Sequence, residues 1–204
     1  LRTPNDIMSY SALAAIAIQS NQNDQHGGQS IPAFDYYMAP GVLKTFKKQF
    51  KQTIADLLDY SDFNKFVNMG NIAKDIDKLD SIDVDLTMFD KYAKESDQLV
   101  RLFSMAYDKA LAKTDRITFQ AMEAFVHNLN TMHSRAGAQV PFSSINYGLD
   151  TTPEGRLVMK NVLLATDAGL GNGETPIFPI QILKVKEGIN YNEGEPNYDI
   201  FKLA

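Results

Sequence analysis

Cysteine is missing from all 204 residues, and histidine occurs only three times. Without cysteine, disulfides and thiolate or thiyl chemistry within the chain are excluded. His26, His127 and His133 offer no i, i+4 pair for a metal, so satisfied or surface imidazoles are expected and no metal site is assigned. Long apolar runs are also missing: none approaches the roughly 20 residues needed to span a bilayer, so no membrane partner is expected. An excess of basic charge is missing too. The net charge of −5 argues against nucleic-acid binding through a basic surface. The opening "LRTPNDIMSY" lacks the basic start and apolar stretch of a signal peptide. With no cysteine to oxidise, a cytoplasmic setting is the expectation. The chain starts on leucine and reads as a piece of a longer polypeptide.

What is present is ordinary globular material, 44% apolar and 22% charged, enough for one large domain or two small ones. Apolar spacing predicts a helix from Pro4 to about Asn21, with Pro4 in its first turn and an alanine-rich middle suited to packing on a sheet. Gln29 to Phe34 reads as a short buried strand, and helix returns from Tyr37 to Tyr60 with Pro40-Gly41 as a start or kink. Residues 61–86 read as irregular, with a short helix near Phe63 to Asn68 and a solvated acidic run from 75 to 90. A helix is predicted over Thr87 to Ala112 and a second, capped by Thr114, to about Met132, the two forming an antiparallel pair. The grammar then changes. Gln139 to Gly148 reads as a strand, and Thr152-Pro153 opens a helix as cap and first residue. "TPIFPIQILKV" reads as a second strand, buried on both faces from Phe178 to Val185, its prolines placing it at an edge or a strand end. Strand, helix, strand with short connections implies a parallel crossover. The class is α/β with a large helical insertion between strands.

The stretch "HSRAGAQVPFSSINYGLD", 133–150, sets hydroxyls and an amide along a strand, as expected for a strand that lines a site. Gly137 allows close backbone approach to a ligand. Arg135 and Gln139 can reach phosphate, ribose or base edges. Strict alternation keeps Ser143 and Asn146 from both sharing a face with Ser144. "GGQS" and "GLGNGE" are read as turns before phosphate cradles. Ser143-Ser144 lacks the glycines and base of a hydrolytic nucleophile. The basic stretch "KTFKKQFKQ", 44–52, reads first as a solvated face.

Three segments, "QSNQNDQHGGQSIPAFDYYMAP" (19–40), "HSRAGAQVPFSSINYGLDTTPEGR" (133–156) and "GNGETPIFPIQILKVKEGIN" (171–190), together resemble the large catalytic subunit of the anaerobic (class III) ribonucleoside-triphosphate reductases. The resemblance implies that residues 1–204 are an interior fragment of a ten-stranded α/β barrel of the glycyl-radical type. In it, 36–132 would form a helical dimer and effector block and 133–190 a strand–helix–strand unit. The parent would convert ribonucleoside triphosphates to deoxyribonucleoside triphosphates by glycyl and thiyl radical chemistry, with formate or a thiol system as reductant. Its cysteines, its glycyl radical (installed by an iron–sulfur/S-adenosylmethionine activase) and its C-terminal structural zinc would all lie outside these residues.

The resemblance further implies a homodimer, and deoxynucleoside or nucleoside triphosphate effectors as ligands alongside the substrates. Ser134, Arg135, Gly137 and Gln139 would belong to a loop between effector and substrate, and Ser143, Ser144 and Asn146 to the strand it feeds. Gln29, Lys44, Lys47 and Lys48 are candidates for effector phosphates. No residue within the chain is assigned a catalytic role. Two alternatives are carried: a non-catalytic nucleotide-binding or assembly module, and another glycyl-radical enzyme of the pyruvate formate-lyase type.

Overall fold

Asp6, and not Pro4, starts the first helix. Its carboxylate accepts from the Ser9 amide at 2.8 Å and the Ser9 hydroxyl at 2.7 Å, leaving Pro4 outside the cap. The structure is a computed structural model and describes residues 2–25, 27–61, 63, 67–93, 96–133 and 139–204. The elements run α1 (Ile7–Asn21), β1 (Gln29–Ile31), α2 (Phe34–Asp59), α3 (Met69–Asp77), a 3-10 turn (Leu86–Phe89), α4 (Asp90–Ala93), α5 (Asp97–Thr131), β2 (Ser143–Tyr147), α6 (Pro153–Ala168), β3 (Ile180–Leu183) and α7 (Tyr198–Leu203).

α1 packs against α2 and α5, where the sequence had suggested a sheet. Gly41 permits the α1–α2 approach: a Cβ there would lie 2.9 Å from the Tyr10 ring and 3.1 Å from the Ile7 Cα. Thr45 joins the two helices. Its hydroxyl donates to the Gly41 carbonyl and accepts from the Ile7 amide, both at 2.9 Å, satisfying a donor that the first turn of α1 leaves free. Pro40 lies inside α2. Phe34, Met38 and Val42 are buried at i, i+4 and i+8, so the apolar stripe runs through the proline and outweighs its cost of about 3 kcal/mol.

The expected antiparallel pair is a single 35-residue helix, α5. Thr114 does not cap. It is fully buried and donates back to the Ala110 carbonyl at 2.7 Å, and Thr118 does the same to Thr114 at 2.8 Å. No glycine or proline interrupts residues 97–131, and buried positions continue from Leu99 to Leu129. Phe46, Phe50, Phe89 and Phe103 form a continuous aromatic core with ring centroids 5.2–5.6 Å apart. Each such buried ring contributes on the order of 1.5–3 kcal/mol. The short helix expected near Phe63 falls largely outside the described residues; the helix beyond it, α3, is capped by Asn68. The acidic run is less solvated than expected, because Asp75 takes Lys91 at 2.6 Å, the Tyr92 hydroxyl at 2.6 Å and Lys78 at 3.3 Å.

Among the described residues the sheet has three strands in the order β1-β2-β3, all parallel. β2, α6 and β3 form the expected crossover, with Thr152 capping α6 through the Gly155 amide and Pro153 in its first turn. β1 is shorter and more exposed than expected. β3 is an edge strand with Ile180 and Ile182 about half exposed, so it is not buried on both faces. The architecture is therefore α/β with a small parallel sheet.

Candidate functional site

β2 is the central strand, and its alternation divides its side chains between two environments. Ser143, Ile145 and Tyr147 are buried on the face that packs toward the helices. Ser144 and Asn146 are half-buried on the opposite face. The parallel register puts Ser30 and Ile180 beside Ser144, and Ile182 beside Asn146. No described helix covers this second face: Ser30, Ile180 and Ile182 are all exposed on it. It therefore presents the Ser30 and Ser144 hydroxyls and a half-buried Asn146 side chain, whose carbonyl oxygen is itself buried, within an apolar frame, a surface able to hydrogen-bond a polar ligand.

Two buried oxygens are left unused at this strand. Among the described residues, the Ser143 hydroxyl and the Asn146 side-chain carbonyl have no hydrogen-bond partner. A buried oxygen without a partner costs on the order of 1–3 kcal/mol. Ser143 and Ser144 also line a cleft of about 390 Å³ with Gly27, Gly28, Phe142 and Phe178.

The carboxyl end of β2 is held tightly. The buried Asp35 carboxylate accepts from the amides of Gly148, Leu149 and Asp150 at 2.9, 3.2 and 3.1 Å. On the other side of the same turn, Asn190 and Asn197, both fully buried, donate to the Gly148 carbonyl at 3.2 and 3.1 Å. Gly148 has φ of +125°, and a Cβ there would come within 2.5 Å of the Lys184 carbonyl, so only glycine fits. Burial, together with the charge of Asp35, pushes the Tyr147 phenol up to about 12. That phenol therefore stays protonated and donates to Gln181 at 2.6 Å. At the entry to β3, Asn130 of α5 accepts from the Ile177 and Phe178 amides at 2.9 and 3.1 Å. The Phe178-Pro179 bond is cis.

The residues singled out in the sequence fall in different places. Ser134, Arg135 and Gly137 lie outside the described residues, as does His26. Gln139 is exposed, at the entry to β2. Gln29 ties β1 to α1, donating to the Ile18 carbonyl at 2.9 Å and accepting from Asn21 at 3.0 Å. Lys44 reaches the Pro4 carbonyl and the Tyr10 hydroxyl, and Lys47 the Asp77 carbonyl. Lys48 is exposed. The structure does not bring these lysines to β2. Nothing local in the sequence marks Asp35, Asn130, Asn190 or Asn197, each of which bonds to a partner 42 to 113 residues away. Among the described residues no three His, Cys, Asp or Glu side chains gather closely enough to hold a metal ion. None of the described helices is long and apolar enough to cross a membrane.

A family model described as anaerobic ribonucleoside-triphosphate reductase matches residues 1–204. The chain belongs to that family. Among curated anaerobic ribonucleoside-triphosphate reductases, that of Enterobacteria phage T4 is 34% identical over 209 residues, covering 100% of this chain and 26% of its own length. That of Haemophilus influenzae is 39% identical over 99 residues, 48% of this chain and 14% of the relative. The Salmonella typhimurium reductase is 33% identical over 117 residues, 57% and 16% respectively. The chain thus spans about a quarter or less of the reductases it matches. The resemblance carried by 19–40, 133–156 and 171–190 is borne out at the level of the family.

Proposed function

We propose that this chain is part of an anaerobic ribonucleotide reductase that converts ribonucleoside triphosphates to deoxyribonucleoside triphosphates in the cytoplasm. In this reading residues 1–204 supply scaffold and substrate selection, and the radical chemistry comes from elsewhere in the polypeptide. Removing hydrogen from a ribose carbon takes a radical. This chain has no cysteine to carry a thiyl, so the chemical step is not assigned to it. A glycyl radical and a structural zinc would belong to the remainder of the polypeptide, and the activase that installs the radical would be a separate partner protein.

The observation that carries the reading is the family match over the whole chain, joined to the uncovered face on which β2 presents Ser144 and Asn146 side by side. These two groups would hydrogen-bond the substrate, and the loop at 133–139, with Ser134, Arg135, Gly137 and Gln139, would relay effector identity into β2. The helical block 36–132 would supply the dimer interface and the effector site, with Lys44, Lys47 and Lys48 from the block and Gln29 from β1 as candidate contacts. β1 and β3 are each paired on one side only among the described residues, as suits strands of a larger barrel that further strands complete.

The test uses the full-length polypeptide with its activase under anaerobic conditions, assayed for deoxynucleotide formation with each effector. Wild type is expected to form deoxynucleotides with effector-dependent substrate choice, and Arg135→Ala to blur that choice. A fully activated wild type that forms none would overturn the reading. An Arg135→Ala enzyme with every effector response intact would remove the loop from it.

A further inference from the structure

The Gly148 peptide is gripped from both sides by residues far away in sequence. Its N–H goes to Asp35, 113 residues away, and its carbonyl takes Asn190 and Asn197, 42 and 49 residues away. The grip extends along the turn: Asp35 also holds the next two amides, and Asn197 donates to the Asp150 carbonyl at 2.9 Å. Asn190 spans to the neighbouring strand end as well, donating to the Lys184 carbonyl at 2.8 Å and accepting from the Lys186 amide at 2.8 Å. Arg156 in turn fixes Asn197, donating to its side-chain oxygen at 2.8 Å. All three gripping side chains are at most 3% exposed. Buried, multiply bonded groups of this kind hold a backbone in one arrangement, because any departure strands a charge or amide without a partner.

This grip lies two residues from Asn146. A strand pinned at its carboxyl end cannot rotate or slip, since a slip of one residue would exchange its two faces. We propose that Asp35, Asn190 and Asn197 are positioning residues: a clamp on the end of β2 that sets how Ser144 and Asn146 are presented on the uncovered face. The proposal rests on the reading of that face as the substrate side. It gives a role to an acidic side chain that touches no part of the face itself.

The experiment compares Asp35→Asn, Asn146→Ala and the double variant in the full-length reductase, with two readouts. In steady-state reduction, each single change is expected to lower kcat/KM by about ten- to a hundredfold, the scale of a misplaced contact. The double variant is expected to fall no further than the worse single one, because Asp35 acts through Asn146. In amide hydrogen exchange, Asp35→Asn is expected to speed exchange across Ser144–Tyr147 as well as Gly148–Asp150, with α5 unchanged. Losses that multiply in the double variant, or faster exchange confined to 148–150, would overturn the clamp. If activated wild type forms no deoxynucleotide, the proposed function falls and the exchange result alone decides the clamp. Should Asp35→Asn not fold, Asn190→Ser, which removes one of the two donors to the Gly148 carbonyl, is read in the same way.

Discussion

The Asp35 carboxylate accepts the Gly148 amide at 2.9 Å, tying the first turn of α2 to the end of β2. Helical block and sheet therefore meet through a buried charge as well as through apolar packing. Asp35 follows Phe34 in the first turn of α2, so the start of that helix is bonded directly to the end of the strand that carries Ser144 and Asn146.

Gly148→Ala tests the tightness of that junction. The new methyl would meet the Lys184 carbonyl at 2.5 Å, on a backbone with φ of +125°. A loss of about 2–4 kcal/mol is expected from strain and steric overlap. Denaturant unfolding of the full-length protein measures it, and a change under about 0.5 kcal/mol would show that the turn relaxes freely.

Arg116→Pro distinguishes one helix from two. If Thr114 capped a second helix, proline at 116 would fall in a first turn and be tolerated. Inside the continuous α5 it should cost about 3 kcal/mol or more. Unfolding midpoints of wild type and variant decide the matter; equal midpoints would favour two helices.

Acid should loosen the loop before α7. Burial works to raise the Glu195 carboxyl, but the Asn192, Gly188 and Tyr191 amides and the Asn192 side chain hold it down at about 2, from an ordinary 4.5. A lowered carboxylate stabilises the fold above its unfolded value, and that contribution disappears as pH falls from about 4.5 towards 2. Exchange at Gly188, Tyr191 and Asn192 should accelerate over that window. In Glu195→Gln it should be fast already at neutral pH and indifferent to acid.

Alkali should act on Tyr147. Its phenol is raised to about 12, so the stability it contributes is complete below the ordinary value of 10.0 and is lost as pH climbs towards 12. In an ultraviolet titration Tyr147 should ionise late, and Tyr147→Phe should remove that late step. Persistence of the step in the variant would assign it elsewhere.

Signals confined to a few neighbouring residues were legible in the sequence. Thr152-Pro153 as cap and first residue of α6 needs only side chain and backbone within one turn. The parallel crossover follows from short connections between β2, α6 and β3. The three long segments resemble the family whose model matches the whole chain. Asp6 displaced Pro4 as the start of α1 for an equally local reason, a carboxylate in reach of the Ser9 amide.

Tertiary structure decided what depends on partners distant in the chain. Thr114 could cap a helix or bond back to Ala110, and continuous burial on both sides of it selected the second. Whether "IFPIQIL" is covered on one face or two depends on which elements lie above it, and here Ile180 and Ile182 remain exposed. Local pattern therefore determined the α6 cap and the strand–helix–strand order, and the resemblance of three segments pointed to the family. The packed fold alone determined that Asp35, Asn190 and Asn197 converge on one peptide, because a hydrogen bond spanning 113 residues leaves no trace in the spacing of its two ends.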